Sequence, residues 1–230
     1  MTKIKYSALV SEMRNKLNGS VLSKNRAGNY IRNKVTPVNP QTSFQQANRQ
    51  RLGAMSSEWR GLTEAQRQSW LNATSSFPYT DIFGDRKELD GKALFTKLNL
   101  NLLNAGVATI VNAPAPVGIP ELAISNLAFD QVDGITFDIN SATVPAGYAL
   151  MVYATPPVDQ GTYFIKNRLR LIGAGTAVAN EVDATTSYNA RFGAPTVGDV
   201  GKNVFVRIAL VSTTTGQLGV AVQASVAITP

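Results

Sequence analysis

Cysteine and histidine are absent from all 230 residues. Without thiols there is neither a disulfide framework nor a thiolate metal site. Without imidazole, the commonest general base, the commonest zinc ligand and every Ser-His or Cys-His pair are excluded. A hydroxyl nucleophile would then need a lysine or an N-terminal amine as its base, and no Ser-x-x-Lys pair stands at the opening of a predicted helix. The glycine-rich pieces "GAPTVG" and "GDVGKN" lack the Gly-Lys-Ser/Thr of a phosphate loop and lie between strand-like runs. The acidic stretch Asp81, Asp85, Glu88 and Asp90 misses the alternating ligand spacing of a calcium loop, and Arg86 and Lys87 sit inside it. The expectation is a non-enzyme with no catalytic, cofactor or metal residue. Long apolar runs are missing too. The stretch after Tyr6 is broken by Glu12 and Arg14, and "NAGVATIV" is far short of the ~20 residues that span a bilayer. No membrane segment is expected.

Acidic residues are scarce at the front of the chain. Residues 1–60 hold eleven basic side chains against Glu12 and Glu58, whereas residues 61–117 balance and residues 118–230 carry a small negative excess. The whole positive excess of the chain, +7 at neutral pH, therefore lies in its first quarter, and such asymmetry points to an anionic partner. With 44 % hydrophobic and 16 % charged residues the chain as a whole can bury a core.

The first forty residues show no sustained period. Val21, Leu22, Tyr30, Ile31, Val35 and Val38 are sparse and interrupted by Gly28, Pro37 and Pro40. Ordering costs about 1–2 kcal/mol per residue, so residues 1–40 are expected to be an extended basic arm that orders against a neighbour. Helical order follows. Thr42 or Ser43 caps a first helix, with Phe44, Leu52, Met55 and Trp59 on one stripe and Gly61 at its end. Thr63 and Gln66 form the capping box of a second, whose apolar face is Trp70 and Leu71. The short turn between them predicts an αα-hairpin with Trp59, Leu62 and Trp70 at the corner. A third helix is predicted over Lys92–Asn104, with Asp90 near its cap. Residues 41–113 thus form a helical unit. The proline-rich residues 114–120 read as a linker.

From residue 121 to residue 230 the period becomes two. "LAISNLAF", "GITFDIN", "YALMVYAT", "TYFIKNRLRLIG", "NEVDATTSYNARF", "NVFVRIALV" and "LGVAVQASVAIT" are seven strand-like runs separated by turn signals. The expected fold class is α+β multidomain: the arm, the small helical unit (αα-hairpin plus one helix) and a C-terminal antiparallel β-sandwich of immunoglobulin or fibronectin III type. The lack of cysteine favours the fibronectin type.

Arg26, Tyr30, Arg32 and Lys34 in the arm, with Arg49 and Arg51 on the exposed face of the first helix, are the candidate partner-binding residues. Tyr6, Tyr30, Phe44 and Trp59 interleave with the cations as in base-stacking surfaces. The favoured reading makes Phe44 and Trp59 helical core, and Tyr6 and Tyr30 anchors on a protein. The many Asn and Gln of this region suit directed hydrogen bonds better than bulk phosphate binding. A third possibility, carbohydrate adhesion through the sandwich, would show as exposed aromatics on its loops, for which Tyr163 and Tyr188 are the candidates.

The run "VNPQTSFQQANRQRLGAMSSEWRGLTEAQRQSW", followed by "LDGKALFTKLNLNLLNAG", resembles a poorly characterised group of proteins of tailed phages and prophages of Bacteroidetes, including crAss-like phages. The likeness covers about residues 20–110, and the fibronectin-like domain matches by type. It implies a virion structural protein of the capsid, head–tail connector or tail, assembled in the host cytoplasm. It brings no activity, ligand or catalytic residue. The implied partners are portal, tail or capsid subunits and further copies of the chain. The alternative is a nucleic-acid-binding protein that uses residues 1–60.

Overall fold

A computed structural model describes residues 2–7, 9–10, 12–25, 28–80 and 83–230. The fold is mixed α+β, with four α-helices and several open antiparallel sheets among these residues. The chain divides into two compact units, residues 1–47 and 48–230.

The first unit is not an extended arm. Strands β1 (Thr2–Lys3), β2 (Asn15–Leu17), β3 (Ser20–Asn25) and β4 (Gly28–Asn33) form an antiparallel sheet in the order β1-β4-β3-β2. The turns explain why. Asn18 and Gly19 make a two-residue loop between Leu17 and its partner Ser20, with Asn18 at φ +51°. Asn-Gly flanked by strand residues is the strongest short hairpin signal. Gly28, at φ +109°, opens β4 opposite Asn25. Sparse apolar residues argued against order, and the turn chemistry prevails.

Helix α1 (Ser43–Gly61) takes Thr42, the first of the two expected caps, and closes a capping box there: the Gln45 N–H donates to Thr42 Oγ1 and the Thr42 N–H to Gln45 Oε1. Its stripe is shorter than the sequence suggests. Met55 is buried and Trp59 half-buried, but Phe44 and Leu52 are 52 % and 51 % exposed and are not core. Helix α2 (Glu64–Ala73) carries the Thr63–Gln66 capping box. The Arg67 guanidinium donates to the Trp59 and Arg60 carbonyls, which satisfies acceptors left over at the end of α1. A two-stranded ribbon, β5 (Tyr79–Thr80) with β6 (Arg86–Lys87), precedes α3 (Gly91–Asn104), which Asp90 caps through the Lys92 N–H.

The closely packed helix pair is α2 with α3 rather than α1 with α2. Gly91 permits it, because a Cβ there would meet Leu71 at 3.0 Å. Trp59 and Trp70 both converge on Phe95, with ring centroids 5.4 and 5.3 Å away. Met55, Leu62, Phe77, Leu94 and Leu98 complete this core. Leu71, expected on the apolar face, is 42 % exposed.

The segment after α3 is tied down at several points. Buried Asn99 accepts from the Ile110 N–H and donates to the Ile110 carbonyl, while the Trp70 indole N–H donates to Val111. Within the proline-rich stretch, the Val117 N–H donates to Gln217 Oε1 and the Tyr148 hydroxyl to the Gly118 carbonyl.

Strands β7 (Ile124–Asp130), β8 (Gly134–Ile139), β9 (Tyr148–Ala154), β10 (Arg170–Gly175) and β11 (Glu181–Asp183) precede helix α4 (Thr185–Phe192). Strands β12 (Asn203–Ser212) and β13 (Val222–Ala227) close the chain. Two antiparallel sheets result, ordered β11-β8-β7 and β10-β9-β12-β13. They share one core. Phe129, Ile135, Phe137, Ile139 and Val182 come from the first, and Leu150, Val152, Val204, Val206, Ile208 and Leu210 from the second. Val204, Val206, Ile208 and Leu210 do fall on one buried face, as the alternation predicts.

Two of the seven strand-like runs are only partly strand. In "TYFIKNRLRLIG" pairing begins at Arg170, and "NEVDATTSYNARF" keeps three strand residues before turning into α4. Asp183 starts that helix by accepting from the Thr185 N–H. Tyr188 and Phe192, four residues apart, then lie together on the core, with Tyr188 edge-on to Phe129. Tyr188 is 1 % exposed, so it is a core residue and not a loop aromatic.

The sheets meet the helices at Gly216, which sits at φ +71° against α3 and whose carbonyl accepts from Asn101 Nδ2. A Cβ at this position would drive into the Leu98 carbonyl. Gly216→Ala is expected to lower stability by about 2 kcal/mol or more, from strain and overpacking together, measurable by chemical denaturation.

Three turn carboxylates lie below their ordinary range. Asp199 is held down to about 2, first by the Thr196 hydroxyl, then by the Thr196 N–H and Lys202. Asp130 is lowered by the Val132 and Asp133 N–H groups, and Asp183 by the hydroxyl and N–H of Thr185. Each stabilises the fold above its unfolded pKa, and that stabilisation fades as pH falls through the folded value. Melting temperature should drop between about pH 4 and pH 2, and Asp199→Asn should flatten part of that decline.

Candidate interaction surface on the N-terminal sheet

Directly opposed residues of an antiparallel pair share a face, so the register of the first sheet sorts its side chains. Arg32 opposes Val21, which opposes Lys16. Tyr30 opposes Ser23 on one side and Lys3 on the other. Lys3, Lys16 and Arg32 therefore lie on one face around Tyr30, with no carboxylate among its paired residues. The three cations are exposed and Tyr30 is half-buried. The opposite face carries Leu22, Ile31 and Lys24. Leu22 is 7 % exposed and is the buried apolar residue among the described residues of this unit.

Apolar side chains elsewhere in the unit are open to solvent. Leu9 is 96 %, Val38 91 %, Val35 72 % and Leu17 58 % exposed. At the Gly28 end an open cleft of about 600 Å³ is lined by Lys3, Lys5, Tyr6, Val10 and Asn29 among others. Asn29 Oδ1 is buried there without a hydrogen-bond partner among the described residues.

The sequence-chosen residues divide among these places. Tyr30 and Arg32 lie two apart on β4 and share the basic face. Lys34 follows the strand, exposed, and its N–H donates to the Gly19 carbonyl. Arg26 lies outside the described residues. Arg49 and Arg51 are exposed on α1, and Arg51 Nη1 donates to Asn104 Oδ1 at 2.7 Å, which fastens α1 to the end of α3. Lys3 and Lys16 were missed as members of the face. The Asn18–Gly19 turn was the signal that would have set their register.

Elsewhere, no group of three or more acidic side chains suited to hold a metal occurs among the described residues, and Asp90 of the acidic stretch serves as a helix cap. None of the described helices is long and apolar enough to cross a membrane. No family model, curated protein or solved structure matches the chain.

With so little buried apolar surface, the sheet depends heavily on Leu22. Leu22→Ala should cost about 2–3 kcal/mol, more than a small sheet of this kind can lose. Amide exchange over residues 20–33 should accelerate sharply.

Proposed function

We propose that this chain is a non-enzymatic structural component of a tailed-phage particle, made in the host cytoplasm and incorporated into the virion through its N-terminal sheet. One observation carries the reading. The first unit buries Leu22 yet leaves Leu9, Leu17, Val35 and Val38 open beside a face of three cations. A thin sheet of this composition gains stability when another surface covers it. The basic face suits an acidic partner surface, and the exposed apolar residues suit burial at its margins. The fitting partners are portal, tail or capsid subunits and further copies of the chain. The resemblance of residues 20–110 to proteins of Bacteroidetes phages agrees with this role.

The two C-terminal sheets are read as a fibronectin III-like sandwich. The strand orders, 1-2-5 and 4-3-6-7 when numbered within the domain, and the core that the inner faces share support this reading. The helix α4 between the fifth and sixth strands is an addition to it.

A second reading, nucleic-acid binding, draws on the placement of Tyr30 among Lys3, Lys16 and Arg32. Such a face can stack a base while its cations hold phosphates. It would bind with a log–log salt slope of about one unit per phosphate contact.

Quantitative mass spectrometry of purified particles, comparing the full chain with a form lacking residues 1–41, separates these roles. The full chain is expected in fixed stoichiometry to the shell or connector proteins, and the truncated form is expected to be absent. Normal incorporation of the truncated form would overturn assembly through the sheet. Loss of the full chain from particles, with salt-steep DNA binding that disappears in a Lys3→Gln, Lys16→Gln, Arg32→Gln variant, would favour the second reading.

A further inference from the structure

On β12, Phe205, Arg207 and Ala209 point away from the shared core, opposite in phase to Val204, Val206 and Ile208. Arg207 opposes Tyr153 on β9 and Gln223 on β13, so guanidinium and phenol stand side by side on the outer face of the four-stranded sheet. Two loops wall this spot into a cleft of about 300 Å³. One contributes Lys166 and Leu169, the other Leu218, and Ala209 forms part of the floor. The volume lies at the lower end of small-molecule sites, enough for about one sugar ring.

The walls are fixed in advance. Ile165 is buried, and its carbonyl accepts from the Arg168 and Leu169 N–H groups. The Arg170 guanidinium braces the same turn by donating to the Asn167 and Leu169 carbonyls. Opposite, Leu218 is held by its bridge to Val211 and by the Gly219 N–H on Leu210. Preorganised walls reduce the ordering cost of binding.

Charge inside the cleft has one sign. Lys166 and Arg207 line it, no carboxylate does, and neither cation makes an ion pair or a side-chain hydrogen bond among the described residues. Arg207 is half-buried, and a half-buried guanidinium with no acceptor is ready to take an anion bidentately. Burial pushes the Tyr153 phenol up, with Arg207 opposing, so its hydroxyl stays protonated at neutral pH and can donate. Leu169, Leu218 and Ala209 supply apolar surface that inorganic phosphate would not use. The loop bearing Lys166 also exposes Tyr163 (89 %) and Phe164 (71 %), two neighbouring aromatics open to solvent. Aromatic faces of this kind stack on the C–H faces of pyranose rings.

We propose that this cleft binds a carboxylate-bearing saccharide. Arg207 and Lys166 hold the carboxylate, the Tyr153 hydroxyl meets a ring oxygen or hydroxyl, and the leucines contact the apolar side of the ring. Tyr163 and Phe164 extend the contact to adjoining sugar units. The site is independent of the N-terminal sheet and its role in assembly.

The test is a titration of the full chain, followed by amide shifts and calorimetry, with a hyaluronan tetrasaccharide, its carboxyl-reduced neutral form, sodium phosphate and a polyglutamate peptide. The acidic tetrasaccharide should shift residues 163–169, 207 and 218–221, and the neutral form should bind at least about tenfold more weakly. Arg207→Gln should weaken binding about tenfold or more. Lys166→Gln, an exposed change that leaves the fold intact, should weaken it severalfold. In a parallel titration with the monosaccharide glucuronate, Phe164→Ala should leave binding unchanged, while it should weaken binding of the tetrasaccharide. No shift at millimolar tetrasaccharide, equal binding of the neutral form, or tighter binding of phosphate or polyglutamate would each overturn the proposal.

Discussion

Helix α3 lies so near the turn at Gly216 that only a hydrogen fits between the glycine Cα and the Leu98 carbonyl. Much of the second unit depends on this approach. The face of α3 that carries Phe95 gathers Trp59 and Trp70 into the helical core, and Asn99 fixes the chain's exit past Ile110. The Asn101 bond to Gly216 then sets the loop that continues into Gln217 and Leu218. Gln217 in turn holds Val117 of the proline-rich stretch. One close contact thus links the helical core, the connecting segment and the loop that walls the cleft on the outer sheet face. In energetic terms it couples two hydrophobic clusters through a polar and a steric contact at one point.

Local chemistry made most of the second unit legible in the sequence. The Thr63–Gln66 box, the Asp90 cap and the alternation of β12 are each decided by residues within a few positions, and each was read correctly. The failures needed longer range. Phe44 and Leu52 have the right spacing for a buried stripe, but spacing cannot tell how far along α1 other elements reach. Tyr188 sat in a β-rich run, and its helix is decided by Asp183 and by the i, i+4 pairing with Phe192 on the core. The N-terminal sheet is legible in the Asn18–Gly19 turn, whereas its sparse apolar residues point the other way. Of the candidate site, Arg32 is legible from charge and Tyr30 from its place as an aromatic among the cations. Their neighbours Lys3 and Lys16 required the register.

The two surfaces described here solve opposite problems with similar residues. The N-terminal sheet spreads cations around a tyrosine on an open face, where each charge is hydrated and its attraction is long-ranged but weak per contact. The outer face of the four-stranded sheet sets an arginine beside a tyrosine inside walls, where partial desolvation strengthens a directed bond. The first geometry favours broad, additive contact with another surface. The second favours a single small group in one orientation.

Lysine and arginine supply the charge of the N-terminal face, and the chain has no imidazole. The face therefore lacks the side chain best suited to switching charge near neutrality. Ionic strength can loosen a contact made there, through a screening length that shrinks from about 10 Å at 0.1 M salt to about 3 Å at 1 M. The attraction of that face for an anionic group is thus set by salt.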